Sequence, residues 1–195
     1  MMFHFFRRNP KARTIASLYG MIVAQARAAT FYQNYGVPDT VNGRFEMIVL
    51  HTVLVLRRLE TEPAPIRRLG QGLFDLFCQD MDASLREMGV GDLAVPVKMR
   101  KIGEAFYGRQ AAYVAALATP DVDPLVAALA RNVFGAETGN SLGNSLGMSR
   151  LAAYVRAAAE RLAEQKGEAL GRAELDFPEP GGIVADGTQL EGANR

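Results

Sequence analysis

Two histidines, His4 and His51, one cysteine, Cys78, and the acids of the run Gln71–Met88 are the residues of this 195-residue chain nearest to a reactive or ligand-holding set. A zinc centre draws on several converging Cys and His ligands, and two histidines with one cysteine are too few for an ordinary one. Asp80 and Asp82 are two residues apart, which on a helix turns them to different faces. Asp75, Gln79, Asp82 and Arg86 do share one helical stripe, with Asp82 four residues before Arg86 in the favourable acid-then-base order. That stripe lacks the paired carboxylates with which a helical enzyme holds a magnesium diphosphate. No glycine-rich loop follows a strand, and neither a Walker sequence nor G-x-S-x-G is present. The residue types therefore offer no catalytic group, no metal site and no cofactor, and enzymatic chemistry is not expected. A lone cysteine cannot form an internal disulfide, and Cys78 reads as a small buried hydrophobe. His51 reads as a hydrogen-bonded core residue, or else as an axial ligand if the helices enclose a haem.

The elements that carry these residues are helical. In Gln71–Met88, Phe74, Cys78, Met81, Leu85 and Met88 recur at steps of four and three, widened by Leu73 and Phe77. Phe74, Met81 and Leu85 are expected to face the run Arg44–Glu60, which is apolar almost all round and reads as a central buried helix. Glu46 and His51 inside that run, and Arg57 and Arg58 at its end, argue against a membrane span. Gly89 and Gly91 supply left-handed backbone to end the preceding helix. Residues 97–118 form a further helix with Met99, Ile102, Phe106, Tyr113 and Leu117 on one stripe. Arg109 lies close to that line, where it either snorkels or pairs with a carboxylate of the Gln71–Met88 helix. Earlier, Ile15, Leu18, Tyr19, Ile22, Val23 and Ala26 define an amphipathic helix, and Phe31–Gly43 breaks the helical pattern. Later, Asp123 and Pro124 open a helix. The GNSL repeat within 135–149 is expected to be a flexible loop, and Ser149 to cap a last helix. The fold class is all-α, a single-domain bundle of about five or six helices.

Composition is ordinary for a globular protein, with 49% hydrophobic and 22% charged residues and a net charge of +1. No global field recruits nucleic acid, and DNA is not expected as a partner. The charge is uneven, however: Arg7, Arg8, Lys11, Arg13 and Arg27 precede any acid, whereas from Glu160 onward the balance is −4. Residues 1–13 thus form a basic aromatic segment in which Arg7, Arg8, Lys11 and Arg13 are candidates for contact with an anionic membrane surface. Residues 14–166 form the helical domain. Residues 167–195 form an acidic, Gly- and Pro-rich tail, expected to stay disordered and to be removable with little change in melting temperature.

Three blocks resemble the ubiquinol-cytochrome c chaperone family: YGVPDTVNGRFEMIVLHTVLVLRRL (Tyr35–Leu59), QGLFDLFCQDMDASLREMGVGDL (Gln71–Leu93) and VKMRKIGEAFYGRQAAY (Val97–Tyr113). The resemblance covers roughly residues 14–165, and its most specific part is DMDASLREMGVGDL followed by AFYGR. It implies a bacterial-type assembly chaperone of the respiratory chain, not an enzyme. It further implies binding of newly made cytochrome b by a cytoplasmic protein peripheral to the inner membrane, with a small helical partner or the ribosome nearby. The family supplies no catalytic residues. By helical phase, the exposed candidates for partner binding are Asp75, Asp82 and Arg86, with Arg109 beside them. A helical lipid-, quinone- or haem-binding protein is the alternative.

Overall fold

Thr40 starts the element around which the others pack: its side-chain oxygen accepts a hydrogen bond from the Gly43 backbone N–H at 3.0 Å, satisfying a donor that the first helical turn leaves open. The computed structural model describes residues 10–135 and 142–182, and nothing but helix and connecting segments appears among them. In chain order the helices are α1 (Pro10–Ala26), α2 (Ala29–Gln33), α3 (Val41–Glu60), α4 (Ala64–Arg67), α5 (Leu69–Glu87), α6 (Val95–Leu117), α7 (Asp123–Leu129), α8 (Leu142–Glu164) and α9 (Gly167–Gly171). A π-helical turn, Ala130–Phe134, continues α7, and a 3₁₀ turn covers Pro180–Gly182. Six of these helices are seven residues or longer, and together they make one all-α domain.

Helix α3 is the axis of the bundle, packing against α1, α5, α6 and α8. Ile48 to Leu56 are buried without interruption, so the run is a core helix, as its all-round apolarity requires. Arg57 and Arg58 in its last turn complement the negative end of the helix dipole. Gly43 has no substitute here, because a Cβ would lie 2.0 Å from the Pro38 carbonyl oxygen.

The packed face of α5 is centred one residue away from the expected stripe. Leu69, Leu73, Phe77, Met81 and Leu85 are its buried residues, while Phe74 and Cys78 flank them partly buried. Phe77 contacts the rings of Phe45 on α3 and Phe106 on α6. Leu85 is buried but lies outside the main core, and Met88 is 55% exposed because the helix ends there. That end is a Schellman motif: Gly89 takes φ +79°, and the Val90 N–H donates to the Leu85 carbonyl at 3.0 Å. Gly91 has no positive φ.

Two expectations for the later chain fail. Helix α8 already begins at Leu142, so the second GNSL unit is helical and Ser149 is no cap; its hydroxyl donates to the Ser145 carbonyl one turn back. Gly147 lets α8 approach the segment between α2 and α3, since a Cβ there would sit 2.1 Å from the Tyr35 carbonyl oxygen. Residues 136–141 of the same stretch lie outside the described residues. The tail also departs from its composition. Residues 167–182 lie on the bundle, with Leu170 and Leu175 in the core and Pro180 buried. Gln165 donates to the Asp176 carbonyl and accepts from the Asp176 N–H, and Tyr35 donates to the Pro180 carbonyl at 2.6 Å. The tail is thus held both by the side chains of Leu170, Leu175 and Pro180 and by its backbone at Asp176 and Pro180. Residues 183–195 are outside the described set.

Candidate functional site

Helix α5 sets out its polar stripe as the spacing predicts. Asp75 is exposed and accepts a hydrogen bond from Gln71 at 2.8 Å. Arg86 donates to Asp82 at 2.7 Å and also pairs with Asp92 across the following turn. Asp82 and Arg86 keep 39% and 47% of their side-chain surface, and exposed pairs of this kind contribute little to stability. The stripe is therefore a solvated, self-paired surface. Asp80, off the stripe, accepts from the Tyr19 hydroxyl at 2.7 Å and ties α5 to α1. Burial first, then that bond and the Asp80 charge, push the Tyr19 phenol up.

Arg109 is elsewhere. Its guanidinium forms a two-pronged pair with Glu46, whose carboxylate is wholly buried in α3, and donates to the Ala105 carbonyl at 3.1 Å. The Phe45 ring lies 6.0 Å below its Cζ. The partner carboxylate thus comes from α3 and not from α5, and Arg109 points inward where the sequence offered it as a surface group. Burial raises the Glu46 carboxyl above its ordinary range, and the Arg109 hydrogen bonds and charge pull it back only in part. This pair was not legible, because Glu46 read as an interruption in an apolar run and its partner is 63 positions away.

Lys11 and Arg13 are exposed on the first turns of α1; Arg7 and Arg8 lie outside the described residues. Ile15 meets Gly72, and Tyr19 meets Asp80, so α1 and α5 run in the same direction. The basic start of α1 is consequently at the opposite end of α5 from Arg86.

His51 is fully buried and both ring nitrogens are engaged. Nδ1 lies 2.7 Å from the Met47 carbonyl and so carries the proton, which leaves Nε2 to accept from the Tyr154 hydroxyl at 2.9 Å. Gln25 donates to the same hydroxyl and to the Pro178 carbonyl. The resulting chain joins α1, α3, α8 and the tail, with Phe31 and Phe177 edge-on to the imidazole. No nitrogen is left to ligate a haem iron, so the axial-ligand alternative does not fit. Burial lowers the His51 pKa to about 4. Between that value and the ordinary 6.5 the unfolded chain takes up a proton that the native state refuses. Stability is then unaffected above pH 6.5 and falls as pH drops toward 4, by about 3 kcal/mol at most. Urea midpoints measured from pH 7.5 down to 4.5 should show this slope, and His51→Gln should remove it.

Among the described residues no group of three or more His, Cys, Asp or Glu is placed to hold a metal ion, and no helix is long and apolar enough to cross a membrane. Cys78 is partly buried against the core, and burial, then the Asp75 charge, push its thiol up. A cleft of about 290 Å³ opens between α3, α5 and α6, lined by Leu56, Leu59, Arg67, Phe74, Phe106 and Tyr107 among others. A second, of about 300 Å³, lies between Arg27, Tyr32, Asp39 and Arg44.

The model of a family described as ubiquinol-cytochrome C chaperone matches residues 33–177. Among solved structures, the Cbp3 homolog from Brucella abortus superposes with a TM-score of 0.80 at 37% sequence identity, over 94% of this chain and 99% of that one. A search of curated proteins returned no match.

Proposed function

The chain belongs to the ubiquinol-cytochrome c chaperone family, and from that premise we propose that it holds newly made cytochrome b while ubiquinol-cytochrome c reductase is assembled. The observation that carries this reading is the family match across 145 consecutive residues, 33–177, which takes in α3, α5, α6 and α8 as well as the first part of the docked tail. The likeness to the Brucella abortus Cbp3 homolog over nearly the whole of both chains supports the same role. A chaperone of this kind is a non-enzymatic helper. It needs a surface that covers apolar segments of a membrane-protein client and a means of staying where that client emerges.

In this reading the protein works on the cytoplasmic side, peripheral to the inner membrane, near the ribosome or a small helical partner. Asp75, Asp82 and Arg86 form its client-docking stripe. Arg7, Arg8, Lys11 and Arg13 supply electrostatic attraction to anionic lipid, worth roughly 1 kcal/mol per well-placed base and fading with salt. Arg109, committed to Glu46, is assigned to the fold.

The test is deletion of the gene, followed by measurement of cytochrome b and of ubiquinol-cytochrome c reductase activity in membranes. Both should fall severalfold and return on complementation. Normal cytochrome b in the deletion strain would end the proposal. In-cell crosslinking from the α5 surface should recover cytochrome b, and Arg86→Glu should lower that yield.

A further inference from the structure

Residues 174–179 cross the bundle without secondary structure, yet they are held much as a strand would be. Among the described residues no backbone–backbone hydrogen bond joins 175–180 to another element. Side chains of the bundle take that place, at every second residue. Gln165, just after α8, donates to the Asp176 carbonyl at 2.6 Å and accepts from the Asp176 N–H at 3.1 Å. That is the paired exchange a neighbouring antiparallel strand makes. Gln25 of α1 donates to the Pro178 carbonyl at 3.2 Å, and Tyr35 to the Pro180 carbonyl at 2.6 Å. The tail's own side chains alternate in the same register. Glu174 and Asp176 are exposed, Leu175 is buried, and Phe177 lies partly buried and edge-on to His51. At the rim Arg161 pairs with Asp176 at 2.6 Å.

We propose that this groove is a peptide-binding site, filled in the free chain by its own tail and taken in trans by an acidic, extended segment of another polypeptide with apolar side chains two residues apart. The chemistry of that occupant is read from the segment seated there. The hydrogen bonds of Gln165, Gln25 and Tyr35 all address main-chain atoms, so they accept any extended chain. Choice of sequence falls to the apolar positions and to the acid facing Arg161. The path of the docked tail also carries a cost. Ala173 follows α9 in a Schellman motif, its N–H donating to the Leu170 carbonyl at 3.0 Å and the Glu174 N–H to the Ala169 carbonyl at 2.9 Å. Its φ is +61°, and no other non-glycine residue among those described has a positive φ. Glycine takes that conformation freely and alanine does not, so the hinge of the docked tail is strained. The tail of a second copy competes poorly, because the chain's own tail is present at a local concentration on the order of millimolar. The inference goes beyond the client reading and does not depend on it, since the groove and the α5 stripe share no residue.

The probe is a labelled peptide of residues 174–182, ELDFPEPGG, titrated against the purified full chain by fluorescence anisotropy. Wild type should bind it weakly, because only molecules with an undocked tail are competent and the apparent Kd rises as that fraction falls. Leu175→Ser loosens the tail and leaves every groove residue in place, so binding should tighten about tenfold or more. Gln165→Ala added to it should undo that gain severalfold, and a peptide carrying Leu175→Ser and Phe177→Ser should not bind. Ala173→Gly acts in the opposite sense, weakening binding severalfold below wild type while raising the melting temperature. Where Leu175→Ser melts below the temperature of measurement, Asp176→Lys takes its part. That side chain is in water, and its reversal repels Arg161, so binding should still rise severalfold. Equal affinity in wild type and the loosened variants, no binding to any folded variant, or a gain untouched by Gln165→Ala overturns the proposal. A tail-exchanged dimer in light scattering overturns it too, because the groove then serves a second copy.

Discussion

Arg109→Met lowers the stability of the fold by about 3–5 kcal/mol, whereas Glu46→Met combined with Arg109→Met recovers most of that loss. The asymmetry follows from burial. The Glu46 carboxylate has no exposed surface and Arg109 is its ion-pair partner, while the guanidinium keeps 21% of its own surface. Removing Arg109 strands a charge in the buried interior around α3; removing both groups leaves an apolar contact between α3 and α6. The single variant should also acquire a pH dependence. Without its partner, Glu46 ionises only against burial, and its pKa in the folded state rises further above the ordinary 4.5. Over that interval the native state holds a proton that the unfolded state has released, so stability falls as pH rises and the deficit narrows toward pH 5. Denaturant midpoints of wild type, both single variants and the double variant at pH 5 and 7.5 test this. A double variant no more stable than Arg109→Met would show that the pair is not what the arginine supports. The same set speaks to function: if crosslinking to cytochrome b returns with stability in the double variant, Arg109 acts through the fold and not on the client.

How far each feature was legible depended on how far its partners lie along the chain. The helices follow from periodicity within windows of about 18 residues, and α3 declared itself by having no polar face. The polar stripe of α5 was equally local, because Gln71–Asp75 and Asp82–Arg86 are pairs four apart. The buried centre of α5 came out one residue off. The stripe through Phe74 and Cys78 and that through Leu73 and Phe77 are both apolar, and only the placement of α1, α3 and α6 around the helix decides between them. Glu46 and His51 looked like interruptions of an apolar run, and their partners Arg109 and Tyr154 are 63 and 103 positions away. The exposed turn between α5 and α6 could not be read as such, since Leu93 and Val95 are the same kind of residue two apart and one is in water while the other is buried.

Removing residues 167–195 should lower the melting temperature by about 10–20 °C, the reverse of what the composition of that segment implies. Leu170 has no exposed surface and Leu175 has 7%, and returning two such side chains to water costs about 3–6 kcal/mol. Against a typical domain stability of roughly 5–15 kcal/mol, that is a substantial share. Further losses fall on the core side of the contact. Phe177 no longer covers the His51 imidazole, and Gln25 and Tyr35 lose the Pro178 and Pro180 carbonyls. Water can replace those carbonyls, so the apolar terms decide the outcome. Arg58 is unaffected directly, because it donates to the Leu162 and Gln165 carbonyls, upstream of the cut. Leu170→Ala in the intact chain provides a graded version at about 2–5 kcal/mol. It also separates loss of packing from loss of the acidic charge that goes with the tail. A truncated chain that melts within 2 °C of the full-length protein would mean the docked segment contributes nothing. Truncation should moreover open a path for water to His51, raising its pKa from about 4 toward 6.5 and flattening the acid-side stability slope. A steep slope retained after truncation would place the burial of His51 with Phe31 and Tyr154 alone.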